Sequence, residues 1–455
     1  MNATKLLIII PPYSQWGRGK YVMPLGTLYV SAALKKSGVQ TETLNMNHHT
    51  WEECAALIER ERINVIALGG LSGEFRVIYD FIALVKRRYP TMTIVVGGGL
   101  VTAAPIVAMR ALKFADVGIV GEGEETMREL LEALNGHSDL KSVKGLVLKS
   151  STDVFFETGA RADIRNLDDL PLPDYDGFEF GTYLETNSMG LGYKKEPLSP
   201  VNIVGSRSCP YRCTFCFHPS GKHYRVRSMK SIFGEIDYLL SRHPAINHIA
   251  MREELFASDP RRIREFTELI SGYNLYWSIQ LRVDNIREET LSRLHDSNCY
   301  AVFLGTESLD DDVLTSMNKR ISAAEIKGAL KLAEAQGVPI RTGLIFGDKA
   351  ETENSYRKTL EWYYGQNSYS EVQERPMITV DMLIPFPGSS IYRYACEKGI
   401  IEDEEEYLRL GCPIVNLTSM NEDTFLEMMS EIQRINGRSY FYLNKDGCRR
   451  IDPPR

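Results

Sequence analysis

Ser208-Cys209-Pro210-Tyr211-Arg212-Cys213-Thr214-Phe215-Cys216 is the stretch whose reading decides the rest of the chain. Three of the eight cysteines fall inside it, and Cys54, Cys299, Cys396, Cys412 and Cys448 are scattered. In a long chain that asymmetry favours a metal site over a disulfide framework. The spacing is Cys-x-x-x-Cys-x-x-Cys. Thiolates are soft ligands that suit iron–sulfur clusters and zinc. Three thiolates on one compact loop can hold three irons of a cubane and leave the fourth iron open to a substrate or cosubstrate. The alternative is a structural zinc in a Cys₃His set with His218 as fourth ligand, although His218 follows Cys216 unusually closely.

Outward from the loop, Val201 to Val204 reads as a strand leading into it. Further strands are expected at Ile246 to Met251, Leu275 to Leu281, Tyr300 to Leu304, Ile340 to Phe346 and Met377 to Ile384. Helices fill the gaps. Asp259-Pro260 is an N-cap followed by proline at the first helical position, and Ser322 with Glu325 forms a capping box. This alternation predicts a partial (β/α)6 barrel over 198–398, with the cysteine loop above the carboxyl end of its first strand.

The trio, with Phe215 before its last cysteine, resembles the signature of radical S-adenosylmethionine (SAM) enzymes. The resemblance implies a [4Fe–4S] cluster on Cys209, Cys213 and Cys216 whose open iron chelates the amino and carboxylate groups of SAM. Electron transfer into the sulfonium then yields a 5′-deoxyadenosyl radical. It also implies SAM contacts at the ends of later strands, from Glu253 or Glu254, Arg282 and Glu307. Phe215 itself would lie against the cofactor. Gly343 to Glu351 and Pro385-Phe386-Pro387-Gly388 close the series. Arg261, Arg262 and Arg264 are expected on a solvated helix face.

The first part of the chain also alternates strand and helix, with strands at Lys5 to Ile10, Gln40 to Leu44, Asn64 to Leu68, Thr93 to Val96 and Val117 to Val120. Short apolar strands separated by amphipathic helices predict a Rossmann-like, doubly wound parallel sheet over 1–140. Glycines gather where those strands end. Pro11-Pro12, Pro24-Leu25-Gly26, Gly97-Gly98-Gly99 and Gly121-Glu122-Gly123-Glu124 together resemble the cobalamin-binding domain that precedes many radical SAM barrels. The contacts this implies are Pro12, Leu71, Ser72, Gly73, Gly98, Gly99, Leu100, Gly121, Glu122 and Gly123. The loop Pro12-Tyr13-Ser14-Gln15-Trp16-Gly17 lacks the histidine that the classical domain offers, so a cobalamin here would have no histidine beneath cobalt, and Leu71 to Phe75 would line that face. His48 and His49 read as solvated loop residues.

Residues 141–197 read as a polar connector with prolines, holding one short strand at Val143 to Leu148. Residues 399–455 read as a short, mostly helical C-terminal segment with a helix from Glu422 to Asn436. The balance of 53 Lys+Arg against 60 Asp+Glu, net −7, excludes bulk-charge coating of nucleic acid. Leu6 to Ile10 is too short for a signal-peptide core and no run approaches a membrane span, so the chain reads as cytoplasmic. The reading that results is a cobalamin-dependent radical SAM methyltransferase acting on an unactivated carbon or phosphorus of a small-molecule or natural-product substrate. Its electrons would come from a reductase of flavodoxin or ferredoxin type, and neither membrane nor nucleic acid is an expected partner. The alternatives are a non-methylating cyclisation, oxidation or rearrangement, and a tRNA methylthiotransferase. The latter usually carries an extra cysteine trio near its N-terminus, where this chain has Cys54 alone.

Overall fold

The computed structural model describes residues 4–13, 21–151, 154–187, 198–367 and 377–454. The chain divides into two compact units. The first comprises 1–188, 217–227 and 403–412; the second comprises 189–216, 228–402 and 413–455.

The first unit is built on β1 (Leu6–Ile10), β2 (Thr41–Asn45), β3 (Val65–Gly69), β4 (Thr93–Gly97) and β5 (Val117–Ile119), all parallel. Every residue of β1 is buried, as expected for a central strand covered on both faces. The helix Trp51–Glu61 starts at a complete capping box of Thr50 and Glu53. The helix Phe75–Arg88 buries Phe75, Ile78, Phe81, Ile82 and Val85 on one face. The sheet continues antiparallel through β6 (Leu146–Ser151) and β7 (Val154–Glu157). The stretch read as a connector therefore supplies two strands to this sheet. Strand order is β2-β1-β3-β4-β5-β6-β7, and it reverses direction at β1 and β3. Open sheets of this kind bind ligands beyond the carboxyl ends of the strands flanking such a reversal.

The second unit holds six parallel strands, β8 (Pro200–Ile203), β9 (His248–Met251), β10 (Tyr276–Leu281), β11 (Cys299–Glu307), β12 (Ile340–Phe346) and β13 (Met377–Met382), adjacent in chain order. This is a partial (β/α)6 barrel. Along β12 buried residues alternate with half-buried ones: one face is sealed by helices, and Arg341, Gly343 and Ile345 share the other. Asp259 caps the helix Pro260–Ile270, and Ser322 with Glu325 caps Ala323–Ala335 in a complete box. β11 runs further than its apolar stretch suggests. It ends on Glu307 after a register irregularity at Gly305.

The tail is less helical than the sequence led us to expect. The helix Glu422–Asn436 is present, with Gly437 left-handed at its end. After it, Tyr440–Asn444 and Gly447–Ile451 form an antiparallel hairpin. Tyr440 and Tyr442 are buried while Phe441 is exposed, a period-2 pattern too short to stand out in the sequence.

Candidate active site

The cysteine loop follows β8. Ser208, buried and with φ of +66°, turns the chain immediately before Cys209. The loop backbone is tied down by three hydrogen bonds from two segments. Thr214 N–H donates to the Met317 carbonyl at 3.0 Å, Ile391 N–H donates to the Thr214 carbonyl at 2.9 Å, and Asn318 Nδ2 donates to the Arg212 carbonyl at 2.7 Å. Arg212 in turn donates to the Cys209 carbonyl at 2.6 Å. All three thiols are unbridged and partly exposed, and Phe215 between them is half-buried. Cys213 and Cys216 share a hydrogen bond that pulls the Cys213 thiol down against burial, with Lys319 and Arg282 adding to the effect. Three free thiols on an anchored loop beside cations fit a cluster whose irons each take one thiolate.

Around the loop stands a ring of charge. The Arg282 guanidinium lies 3.6 Å from the centre of the Tyr211 ring, and Tyr211 donates to Asp284 at 3.3 Å. Arg282 Nη2 donates to the Lys319 carbonyl at 2.7 Å. Lys319 Nζ meets Glu307 Oε1 at 2.8 Å, with only 5% and 12% of the two side chains exposed. Burial works against the lysine's charge, but Glu307 and Cys213 more than offset it, so its pKa rises. Cations at Arg282 and Lys319 and carboxylates at Glu254 and Glu307 match a ligand that carries both an ammonium and a carboxylate.

The two candidate glutamates after β9 have different surroundings. Glu254 is half-buried and its charge reaches Cys209. Glu253 is enclosed, and neither of its oxygens makes a well-formed hydrogen bond. Burial pushes its carboxyl up to about 7, held back in part by the nearby Ser206 hydroxyl, Arg262 and the Gly205–Ser206 backbone. Arg262 corrects the expectation of a solvated helix face. Its guanidinium folds back onto the Phe256 and Gly205 carbonyls at 3.0 and 2.9 Å. Lys319 escaped the sequence reading, because one lysine after a short helix carries no pattern.

In the first unit the strand ends form a glycine-lined face. Gly98 has φ of +79°, and a Cβ there would lie 2.8 Å from the Gly70 carbonyl oxygen and 2.9 Å from its nitrogen. The Leu100 N–H donates to that same carbonyl at 2.8 Å. A Cβ on Gly99 would strike Leu71 at 2.7 Å. Leu71 is 57% exposed, held by its N–H to Glu74 Oε2 at 2.7 Å. Gly73 and Gly121 face open space, and Pro12 is exposed. An open, side-chain-poor surface with one apolar residue standing on it fits the flat face of a corrin. Not every expected contact points there. Ser72 and Leu100 are buried, and a Cβ on Gly123 would meet Val30 at 3.0 Å. Glu122 is engaged elsewhere: Arg225 Nη1 lies 2.9 and 2.8 Å from its two oxygens, and the Ile164 N–H donates to it at 2.6 Å. The pair is buried, at 8% and 6% exposure.

His48 is not solvated, as the sequence suggested. Its ring is 7% exposed and bonded to Glu179 at 3.2 Å and to the Tyr21 hydroxyl at 3.4 Å. His49 meets Glu179 at 2.8 Å. The Ser14 to Gly17 part of the loop after β1 lies outside the described residues.

Each of the two surfaces lies within a region that matches a known family. Residues 203–363 match the radical SAM superfamily and residues 18–131 match the B12 binding domain. The chain carries a radical SAM domain preceded by a B12 binding domain. An uncharacterized methyltransferase of Pyrococcus horikoshii is 24% identical over 88% of this chain and 85% of its own length. An anaerobic magnesium-protoporphyrin IX monomethyl ester cyclase of Cereibacter sphaeroides is 23% identical over 93% of this chain and 67% of its own. The fold matches that of the radical SAM methyltransferase TsrM from Kitasatospora setae, solved with cobalamin and a [4Fe–4S] cluster bound. The TM-score is 0.69 and the identity 15%, over 88% of this chain and 76% of that one. No helix among the described residues of this radical SAM protein is long and apolar enough to cross a membrane.

Proposed function

We propose that this radical SAM protein transfers a methyl group to an unactivated carbon or phosphorus centre of a small molecule. The observation that carries the reading is the coexistence, in one chain, of an anchored three-thiol loop above a (β/α)6 barrel and a glycine-lined sheet edge of B12-binding type. When bound, the cluster with SAM supplies radical hydrogen abstraction and the corrinoid supplies the methyl group. The protein's own part is binding, orientation and exclusion of water. Cys209, Cys213 and Cys216 hold the cluster. Glu254 accepts from the SAM ammonium, and Arg282 and Glu307 fix the cofactor's polar end. Glu253 is enclosed, which leaves the half-buried Glu254 to meet the ligand. Leu71, Gly73, Gly98, Gly99 and Gly121 would receive the corrin, with Leu71 standing where the classical domain offers histidine. Electrons come from a flavodoxin- or ferredoxin-type reductase.

The test is anaerobic purification with cobalamin supplied, followed by iron and corrinoid analysis and an assay with methyl-labelled SAM. About four irons with one corrinoid per chain, and label in the product, are expected. Iron without corrinoid would refute methyl donation by cobalamin. The similarity to the cyclase over nearly the whole chain favours a second reading, a radical ring closure or oxidation. In that case 5′-deoxyadenosine accumulates and no label leaves SAM.

A further inference from the structure

Lys319 is not a surface lysine that happens to meet a carboxylate. Three separate departures from ordinary backbone converge on it. Glu307 ends β11 with φ of +63°, and Asn318 and Arg320 on either side of the lysine both have φ of +55°. Non-glycine residues avoid this region unless the surroundings impose it. Gly305, two residues before Glu307, completes the set. A Cβ there would lie 2.6 Å from Glu307 Oε1 and 3.0 Å from Lys319 Nζ. The pocket for this ion pair is therefore cut out of the strand itself.

A buried ion pair costs desolvation, and an apolar pair of equal volume is often as stable. Retaining one here calls for a role other than stability. The contacts supply it. The Lys319 side chain holds Glu307, its carbonyl accepts from Arg282, and Met317 and Asn318 just before it hold the cysteine loop at Thr214 and Arg212. One short segment thus touches the cluster loop and two groups assigned to SAM.

We propose that Lys319 is a positioning residue for SAM: it fixes the Glu307 carboxylate and the Arg282 guanidinium in register with the cluster loop. The inference rests on the assignment of Glu307 to the SAM pocket made above. It places Lys319 behind the ligand, acting through Glu307, so the two should behave as a unit.

The experiment uses the reconstituted, cobalamin-loaded full chain and measures iron and sulfide content, SAM affinity by anaerobic equilibrium dialysis, and the midpoint potential of the cluster. Lys319→Met should keep its iron and weaken SAM binding about ten- to a hundredfold, the range for a lost hydrogen bond to a charged group. Glu307→Gln should weaken it comparably, and the double variant should be no worse than the weaker single one. Lys319→Arg should recover most of the affinity. The SAM-induced shift of the midpoint potential should shrink in Lys319→Met. Wild-type SAM affinity in Lys319→Met beside a weakened Glu307→Gln overturns the inference alone. Wild-type affinity in both overturns the assignment of Glu307, and the inference with it. Loss of iron in both Lys319→Met and Lys319→Arg would assign the residue to the folding of the loop and overturn the positioning role.

Discussion

Replacing Gly98 by alanine should weaken corrinoid binding by the first unit. Gly98 has φ of 79° and ψ of −165°, a combination reserved in practice for glycine, and holding another residue there costs about 1–3 kcal/mol. The added methyl also runs into backbone, 2.8 and 2.9 Å from the Gly70 oxygen and nitrogen. Backbone cannot rotate aside as a side chain can, so overpacking adds about 1–3 kcal/mol. Relief requires the ends of β3 and β4 to part, which breaks the Leu100 N–H bond to Gly70 and moves Leu71 off the surface. If only about 1.4 kcal/mol of this falls on the bound state, affinity drops tenfold. The assay is equilibrium dialysis of hydroxocobalamin against anaerobic protein, with thermal melts of the apo chain alongside. Gly26→Ala serves as control. That glycine sits in the helix Leu25–Lys36 with nothing within 4 Å of the added carbon, so the change should be neutral or stabilising by up to about 1 kcal/mol. Wild-type affinity and melting temperature in Gly98→Ala would refute the reasoning.

Three further outcomes are expected. Cys213→Ala should lose most of its iron and its visible absorbance, whereas Cys54→Ala, at a buried helical thiol, should keep both; iron analysis decides. Arg225→Met should destabilise the first unit by about 3–5 kcal/mol, the cost of stranding a buried partner, here Glu122; chemical denaturation of the apo protein measures it, and Glu122→Gln in the same chain should recover part of the loss. Glu253 sets a pH dependence. Its folded carboxyl, raised to about 7 from 4.5, still holds its proton where the unfolded chain has released it. Stability therefore falls as pH rises from about 4.5 to 7 and levels off above, a loss of about 3 kcal/mol. Glu253→Gln should remove that part of the slope and be the more stable protein at pH 8, as paired denaturation curves at pH 5 and 8 would report.

What the sequence could disclose follows the range over which its signals act. The cysteine loop is a local pattern, and so are the apolar run Leu6–Ile10, which forms β1, and the helix Glu422–Asn436, whose bounds the structure reproduces. The barrel strands were legible because each is apolar and bounded by turn residues. The pairings across long distances were not. Glu122 looked like part of a glycine-rich cofactor loop, yet its partner Arg225 lies 103 residues further on. Lys319 gains its meaning only from a carboxylate on another strand. Arg262 read as solvent-facing because helical periodicity says nothing about a long side chain folding back over the end of its own helix. His48 does lie in a loop, but no local pattern announces Glu179, whose carboxylate meets its ring at 3.2 Å.

The chain's route through the segment after the cysteine trio has a practical consequence. Cys216 belongs to the second unit, but Phe217 to Arg227 pack with the first, as do Asp403 to Cys412. Neither unit is therefore a continuous piece of polypeptide. A fragment cut after residue 188 would leave behind Arg225 and expose a carboxylate built to be covered. Swapping the corrinoid half of this protein for that of a relative cannot be done at a single junction, and a chimera that ignores the eleven-residue excursion should misfold on the side that was left untouched.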